Sequence, residues 1–199
     1  MTIIARAGRE AELTDALLRV ATERGLDAVS VREVAAAAGV SIGTVQHYFP
    51  TKTAMLEAAM AHMTAAVTDR IQALDRTGSV RDVTRRVLLE LLPLDERRAA
   101  EVRVWLVFVL RSAFEPGLRT VQEQTAALVH DAVTGLVRAG QAAGEVPRTR
   151  DAEIEASLLL AVVDGLTLQA AAEPVGRSRQ WVVELLDLAL ARLFRTPKP

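Results

Sequence analysis

Residues 30–50, SVREVAAAAGVSIGTVQHYFP, carry two helix-start signals and two stops within one short run. Ser30 and Glu33 fit the S-x-x-E capping box, with Val29 and Val34 at the hydrophobic-staple positions around it. Gly39 ends the run VREVAAAA, because glycine takes the left-handed backbone that closes a helix. Ser41 is a second N-cap, with Val40 and Val45 again in the staple relation. Pro50 disfavours helical geometry at Phe49 and stops the second helix. This punctuation predicts two short helices joined by a tight, glycine-containing turn.

The run GVSIG also matches G-x-S-x-G, the nucleophile elbow of hydrolases, with Ser41 as the nucleophile. An elbow needs a strand before the serine, whereas a capped alanine run precedes it here. Asp164 and His130 could complete a triad on paper, but histidine precedes the acid, the reverse of the order that fold requires. A helix-turn-helix accounts for every residue instead. Its second helix would offer small N-terminal residues, Ser41, Ile42, Gly43 and Thr44, to the major groove. Gln46 and His47 can donate to and accept from base edges. Tyr48 and Lys52 can reach phosphates, and the free N–H groups at the start of the next helix favour phosphate too.

The rest of the chain reads as helix throughout. Half the residues are hydrophobic but only 4% are aromatic, so the core is built from Leu, Val and Ala. Strand-length runs of β-branched or aromatic residues are scarce, so the expected fold class is all-α. About nine helices are expected, over residues 9–24, 30–39, 41–49, 52–74, 80–92, 96–114, 117–143, 151–172 and 179–194. Their breaks fall at Gly25, Gly78-Ser79, Pro93 with Asp95, Pro116, Gly144 with Pro147, and residues 174–178. The expected organisation is an N-terminal three-helix DNA-binding domain over residues 1–51 and a second helical domain over residues 52–199, to which the family resemblance given below assigns ligand binding and dimerisation.

Charge argues against a strong polyanion partner, since the formal net charge is −1. Residues 1–75 hold more acids than bases, so the usual basic footprint is absent in bulk. No acid lies between Glu33 and Glu57, however, which leaves the proposed DNA face free of repulsion. Modest affinity per subunit and a need for dimerisation follow. With no cysteine, disulfides and Cys-ligated zinc are excluded. E-x-x-H, H-E-x-x-H, P-loop and G-x-G-x-x-G motifs are missing, so neither cofactor nor metal is expected. The start MTIIARAGRE has no apolar core of signal-peptide length, and a cytoplasmic protein is expected. Residues 156–172 are highly apolar but slightly short for a membrane span, and Asp164 sits near their centre. A helix buried inside protein is expected rather than a membrane contact. A helical adaptor that binds only protein and a helical-bundle enzyme stay open as alternatives.

The segment SVREVAAAAGVSIGTVQHYFPTKTAML closely resembles the DNA-binding segment of the TetR family of transcriptional repressors. The family pattern A-x-x-A-G-V-S-x-G-T-[LV]-Y-x-[YH]-F-x-[ST]-K-x-x-L is nearly complete, with Gln46 where an aromatic residue is common. The resemblance implies DNA contacts from Ser30, Ser41, Ile42, Gly43, Thr44, Gln46, His47, Tyr48 and Lys52, with Tyr48 and Lys52 on phosphates. Gln46 would favour adenine, and Arg6 and Arg9 could form an N-terminal arm. It also implies a homodimer on a pseudo-palindromic double-stranded operator, with reading helices roughly 34 Å or more apart, released by a small-molecule effector.

In the C-terminal half, LLPLDERRAAEVRVWLVF and LLLAVVDGLTLQA are similar to the BetI-like branch of that family. The ligand does not carry over with that similarity. A quaternary ammonium wants an aromatic cage, and beyond Leu74 the aromatics are Trp105, Phe108, Phe114, Trp181 and Phe194. A largely apolar effector is expected, lined by Trp105, Phe108 and Val109 with Ser112 and Thr125 as polar anchors. The helix over 151–172 is apolar nearly all round, so it needs cover on every side. A dimer interface through Leu159, Val163, Leu166, Val182, Leu185, Leu186 and Leu190 would supply it. His62 lies on the helix linking the halves, where a switch could act, but reads better as a solvated histidine, and His130 falls off the apolar stripe and should be exposed.

Overall fold

The computed structural model describes residues 3–25, 28–173 and 179–194, with side chains from residue 8 onward. Among the described residues the fold is all-α, with nine helices and no strand. They are α1 (Ile3–Arg24), α2 (Val31–Ala38), α3 (Ile42–Tyr48), α4 (Lys52–Gln72), α5 (Val80–Glu90), α6 (Glu96–Ser112), α7 (Pro116–Ala142), α8 (Ala152–Ala172) and α9 (Gln180–Leu193). Most ends fall where capping and breaker residues put them. The exception is α1, which begins six residues before residue 9. No breaker but Gly8 precedes that point, and extending an existing helix costs far less than nucleating one. The turn expected over 174–178 and the Arg6 side chain lie outside the described residues.

The chain forms two compact units, one from residues 1–66 and 100–123, the other from residues 67–99 and 124–199. In the first unit, Leu13, Leu17 and Val20 of α1 pack with Val34 of α2, Val45 of α3, Met55 and Leu56 of α4 and Phe108 of α6. Val45 fills the staple position and is fully buried, so α3 is held by the side opposite its polar residues.

In the second unit, Leu88 and Leu92 from the α5 region, Val133 and Val137 of α7, and the inner stripes of α8 and α9 form a separate core. Gly140 marks the tightest approach. A Cβ there would stand 2.9 Å from Val146 and 3.0 Å from Phe194. The turn after α7 folds back on the same residue, with the amides of Glu145 and Val146 both donating to the Gly140 carbonyl. The Glu145 carboxylate then accepts from the backbone amides of Val80 and Arg81, at 2.9 Å each, at the start of α5. That start also has a complete capping box between Ser79 and Asp82. Arg85 of α5 makes a two-pronged ion pair with Asp187 of α9. Glu90 bridges Arg70 and Arg98 at 3.0 and 3.4 Å, tying α5 to the chain before and after it.

α8 departs from the expectation of burial on all sides. Its two faces carry apolar stripes of the same helical period. Ala156, Leu159, Val163, Leu166 and Ala170 are buried in the chain's own core, whereas Ile154, Leu158 and Leu168 face outward. By length and composition α8 could cross a membrane.

Candidate nucleic-acid interface

The turn between α2 and α3 is built by its caps. Ser30 accepts from the Glu33 amide at 3.2 Å. The reciprocal half of that capping box is replaced, because the Glu33 carboxylate pairs with Arg24 of α1. Gly39 takes a left-handed φ of 66°, and the amides of Gly39 and Val40 donate to Ala36 and Ala35. Ser41 accepts from the Thr44 amide at 3.1 Å, and its hydroxyl lies 2.8 Å from that of Thr44. Phe49 is buried below the end of α3, and Thr51 caps α4 by accepting from the Ala54 amide at 3.0 Å.

With Val45 held inward, the outer arc of α3 consists of Ile42, Gly43, Gln46 and His47, all exposed. Ser41 precedes them and is exposed as well, whereas Thr44 and Tyr48 are half-buried at the edges. The Tyr48 ring meets that of His47 edge-on, with centroids 5.4 Å apart. Lys52, half-buried at the first position of α4, makes no ion pair among the described residues. Ser30 is exposed at the start of α2. The residues read from the sequence as contacts therefore gather on and beside one short helix. That arc offers hydrogen-bond donors and acceptors, one exposed aliphatic group and, at Gly43, a place without a side chain. It is a shape suited to the major groove.

Two supports of this surface have partners that the sequence does not show. Arg19 of α1 donates to the Ala37 carbonyl at 3.3 Å, bracing the end of α2. His62 of α4 lies 3.1 Å from the Asp15 carboxylate of α1, so it is tethered rather than free in solvent. Both partners are distant in sequence and carry no local signal.

The residues expected to hold an effector divide between the two units. Trp105, Phe108, Val109 and Ser112 belong to the first and Thr125 to the second. Phe108 is only 1% exposed in the first unit's own core, and Trp105 packs against that core, half-buried. Val109 and Thr125 are half-buried as well. Ser112 is buried, but its hydroxyl is spent on the Val109 carbonyl at 2.7 Å, the back-bond that helical serines favour. Different side chains have unused polar groups. The Thr134 hydroxyl, in a residue 3% exposed, and the Gln122 carbonyl oxygen are buried without a partner among the described residues. Leaving such a group unpaired costs about 1–3 kcal/mol.

Of the residues expected at a dimer interface, Leu159, Val163, Leu166, Val182, Leu186 and Leu190 are buried in the second unit's core. Leu185 alone is open, at 44% exposure. The stripe read from the sequence is the inner one; the outward face presents Ile154, Leu158, Leu168, Leu185 and Leu188. Asp164 lies on α8 among the apolar outer residues, and burial raises its carboxyl above the usual range. His130, expected to be exposed, is half-buried, with Nε2 3.0 Å from the Ser157 hydroxyl and 3.3 Å from the Glu153 carbonyl. It lies off the α7 stripe because it meets α8 instead.

Two short helices around a three-residue turn, with the second exposing a polar arc, define a helix-turn-helix DNA-binding protein. The family model for bacterial regulatory proteins of the tetR family matches residues 13–59, and that for the BetI-type transcriptional repressor C-terminal region matches residues 80–195. The HTH-type transcriptional regulator PksA of Bacillus subtilis is 31% identical over 172 residues, 84% of this chain and 80% of its own. The HTH-type transcriptional regulator BetI of Burkholderia mallei is 35% identical over 167 residues, 82% of each chain. A transcriptional regulator of Rhodococcus sp. RHA1 superposes with a TM-score of 0.82 at 34% identity, covering 92% of this chain and 95% of its own. A regulator of Saccharomonospora viridis, crystallised with choline, shares the fold with a TM-score of 0.86 at 24% identity, covering 96% of this chain and 100% of its own. The chain belongs to the TetR family and is a transcriptional regulator of that family.

Proposed function

We propose that this regulator is a cytoplasmic repressor, not an enzyme, that binds a pseudo-palindromic operator as a homodimer and leaves it when a small-molecule effector binds. The observation that carries the reading is the exposed arc of α3; in this reading Gln46 and His47 meet base edges, and Ser30, Tyr48 and Lys52 meet the DNA backbone. Residues 1–51 form the reading domain, and residues 52–199 receive the effector and the second subunit. The second copy covers Ile154, Leu158, Leu168, Leu185 and Leu188, since an outward apolar stripe on two neighbouring helices is suited to a partner of the same kind.

The effector is largely apolar and is gripped at few polar points, of which the Thr134 hydroxyl of the second unit is the best candidate. The Saccharomonospora viridis protein was crystallised in complex with choline. Here Phe108 is already consumed by its own core, which weighs against an aromatic cage for a quaternary ammonium. Release follows if the effector binds the DNA-incompetent form better than the competent one.

The test is binding to duplex DNA from upstream of the gene, across a salt series and against a scrambled duplex. Sequence-dependent binding that weakens steeply with salt is expected. Gln46→Ala should then relax specificity, and Lys52→Ala should weaken all sequences alike. No preference for any DNA, with the fold intact, would instead favour a protein-binding adaptor.

A further inference from the structure

We infer that Ile42 reads the 5-methyl group of a thymine in each half of the operator, an inference that rests on α3 being the DNA-reading helix. Ile42 is the first residue of α3 and is 47% exposed. It is an aliphatic side chain on an otherwise polar arc, beside Ser41, Gly43, Gln46 and His47. The core of the first unit does not use it: Val45 and Phe49 supply the burial that fixes α3. Its β-branched side chain adds little to helix propensity at this position.

The chemistry of the groove supplies a partner. Of the four bases, only thymine presents an apolar group in the major groove, and aliphatic side chains recognise it by contact. Helical geometry sets Ile42 beside Gln46, four residues later on the same face. Gly43 stands next to this pair, and a Cβ there would meet nothing nearer than the Ser41 hydroxyl at 3.8 Å. No side chain therefore holds the helix off at that point, and Ile42 can come to van der Waals distance of a methyl group. Gln46 is placed to take a neighbouring adenine, so apolar and hydrogen-bonded readout sit side by side on one edge of α3.

The test uses the full chain and a duplex selected from a random pool. Each thymine of that duplex is replaced singly by uracil, which removes the methyl group and keeps every hydrogen-bonding atom. One thymine per half-site should matter, with affinity falling about fourfold per methyl lost. Ile42→Ala should bind the thymine duplex more weakly and lose the distinction between thymine and uracil at that position. Ile42→Val should keep part of it. Because the side chain is exposed, the helical signal and melting temperature of both variants should match the parent.

Sequence-specific binding in which no uracil replacement weakens the complex would overturn the inference and leave the regulator reading standing. So would an Ile42→Ala variant that discriminates thymine from uracil as the parent does. Failure to select any preferred duplex would overturn the regulator reading, and this inference with it.

Discussion

α3 and α8 are opposite kinds of helix. α3 is 7 residues long, begins at a serine cap and ends before a proline, and one buried valine fixes which side faces out. α8 is 21 residues long and apolar on both sides, so its composition does not choose a face. In α3 each local choice points the same way, and the exposed arc could be listed from the sequence. In α8 the same period fits two stripes, Leu159-Val163-Leu166 and Leu158-Leu168 with Ile154, and only packing tells them apart. A helix specified by its ends can be read locally; one specified by its faces needs its neighbours.

The strongest way to break this comparison is to test adjacent residues of α9, the partner of α8. Leu186→Ala should cost about 2–5 kcal/mol of unfolding free energy in urea, because a buried leucine leaves a cavity. Leu185→Ala should cost far less of that, and should instead raise the dimer dissociation constant measured by sedimentation. Equal losses of fold stability would mean the two stripes are not distinguished as described.

The next effect contrasts two glycines of α7. Gly140→Ala drives a methyl against Val146 and Phe194 and should destabilise by about 1–3 kcal/mol. Gly135→Ala meets nothing within 4 Å and should stabilise by about 0.5–1 kcal/mol. Thermal melts of the two variants should move in opposite directions.

Removing the cap on the short helix should give a smaller change. Ser41→Ala should cost about 1 kcal/mol, and hydrogen exchange should quicken at the Thr44 amide, which loses its acceptor. Exchange within α8 should not change.

The smallest effect separates two acids by sign. Burial raises the Asp164 carboxyl above its ordinary value of 3.8. The folded state then holds its proton to higher pH than the unfolded chain, so Asp164 costs stability above its folded pKa, and that cost is relieved as pH falls through it. Asp164→Asn should remove this term and flatten the profile on that side. For Asp95, burial pushes upward but hydrogen bonds from the Arg98 backbone and side chain outweigh it, and the carboxyl lies below 3.8. Its stabilisation is complete above the unfolded value and is lost as pH falls through the folded one. Asp95→Asn should therefore destabilise most near neutral pH and least in acid, as followed by urea unfolding across pH.

The same division runs through the rest of the molecule. The capping serines, Gly39, Pro50 and the alanine runs placed the ends of α2, α3 and α4 to within about two residues. The exposed arc of α3 followed from them, because a helix this short has few ways to bury one valine. Ser112 and Phe108 looked like pocket residues because an inward serine or aromatic has the same pattern whether it lines a ligand or closes a core. The structure spends Ser112 on a carbonyl and Phe108 on packing, and leaves unpaired the Thr134 hydroxyl and the Gln122 carbonyl oxygen, which had no distinguishing pattern. His130 reads as a surface residue in the sequence because its partners, Ser157 and Glu153, lie on another helix.

By itself, then, the sequence determined that this chain is helical, where its helices begin and end apart from the start of α1, and which short helix presents a polar arc. These follow from interactions within a few residues, such as caps, staples and left-handed glycines. Tertiary structure alone decided which stripe of α8 and α9 is core and which is exposed, that Gly140 has no room for a side chain, and which buried polar atoms lack a partner among the described residues. Each of those depends on side chains brought together from distant parts of the chain, and the helical period repeats the same pattern on either face until packing selects one.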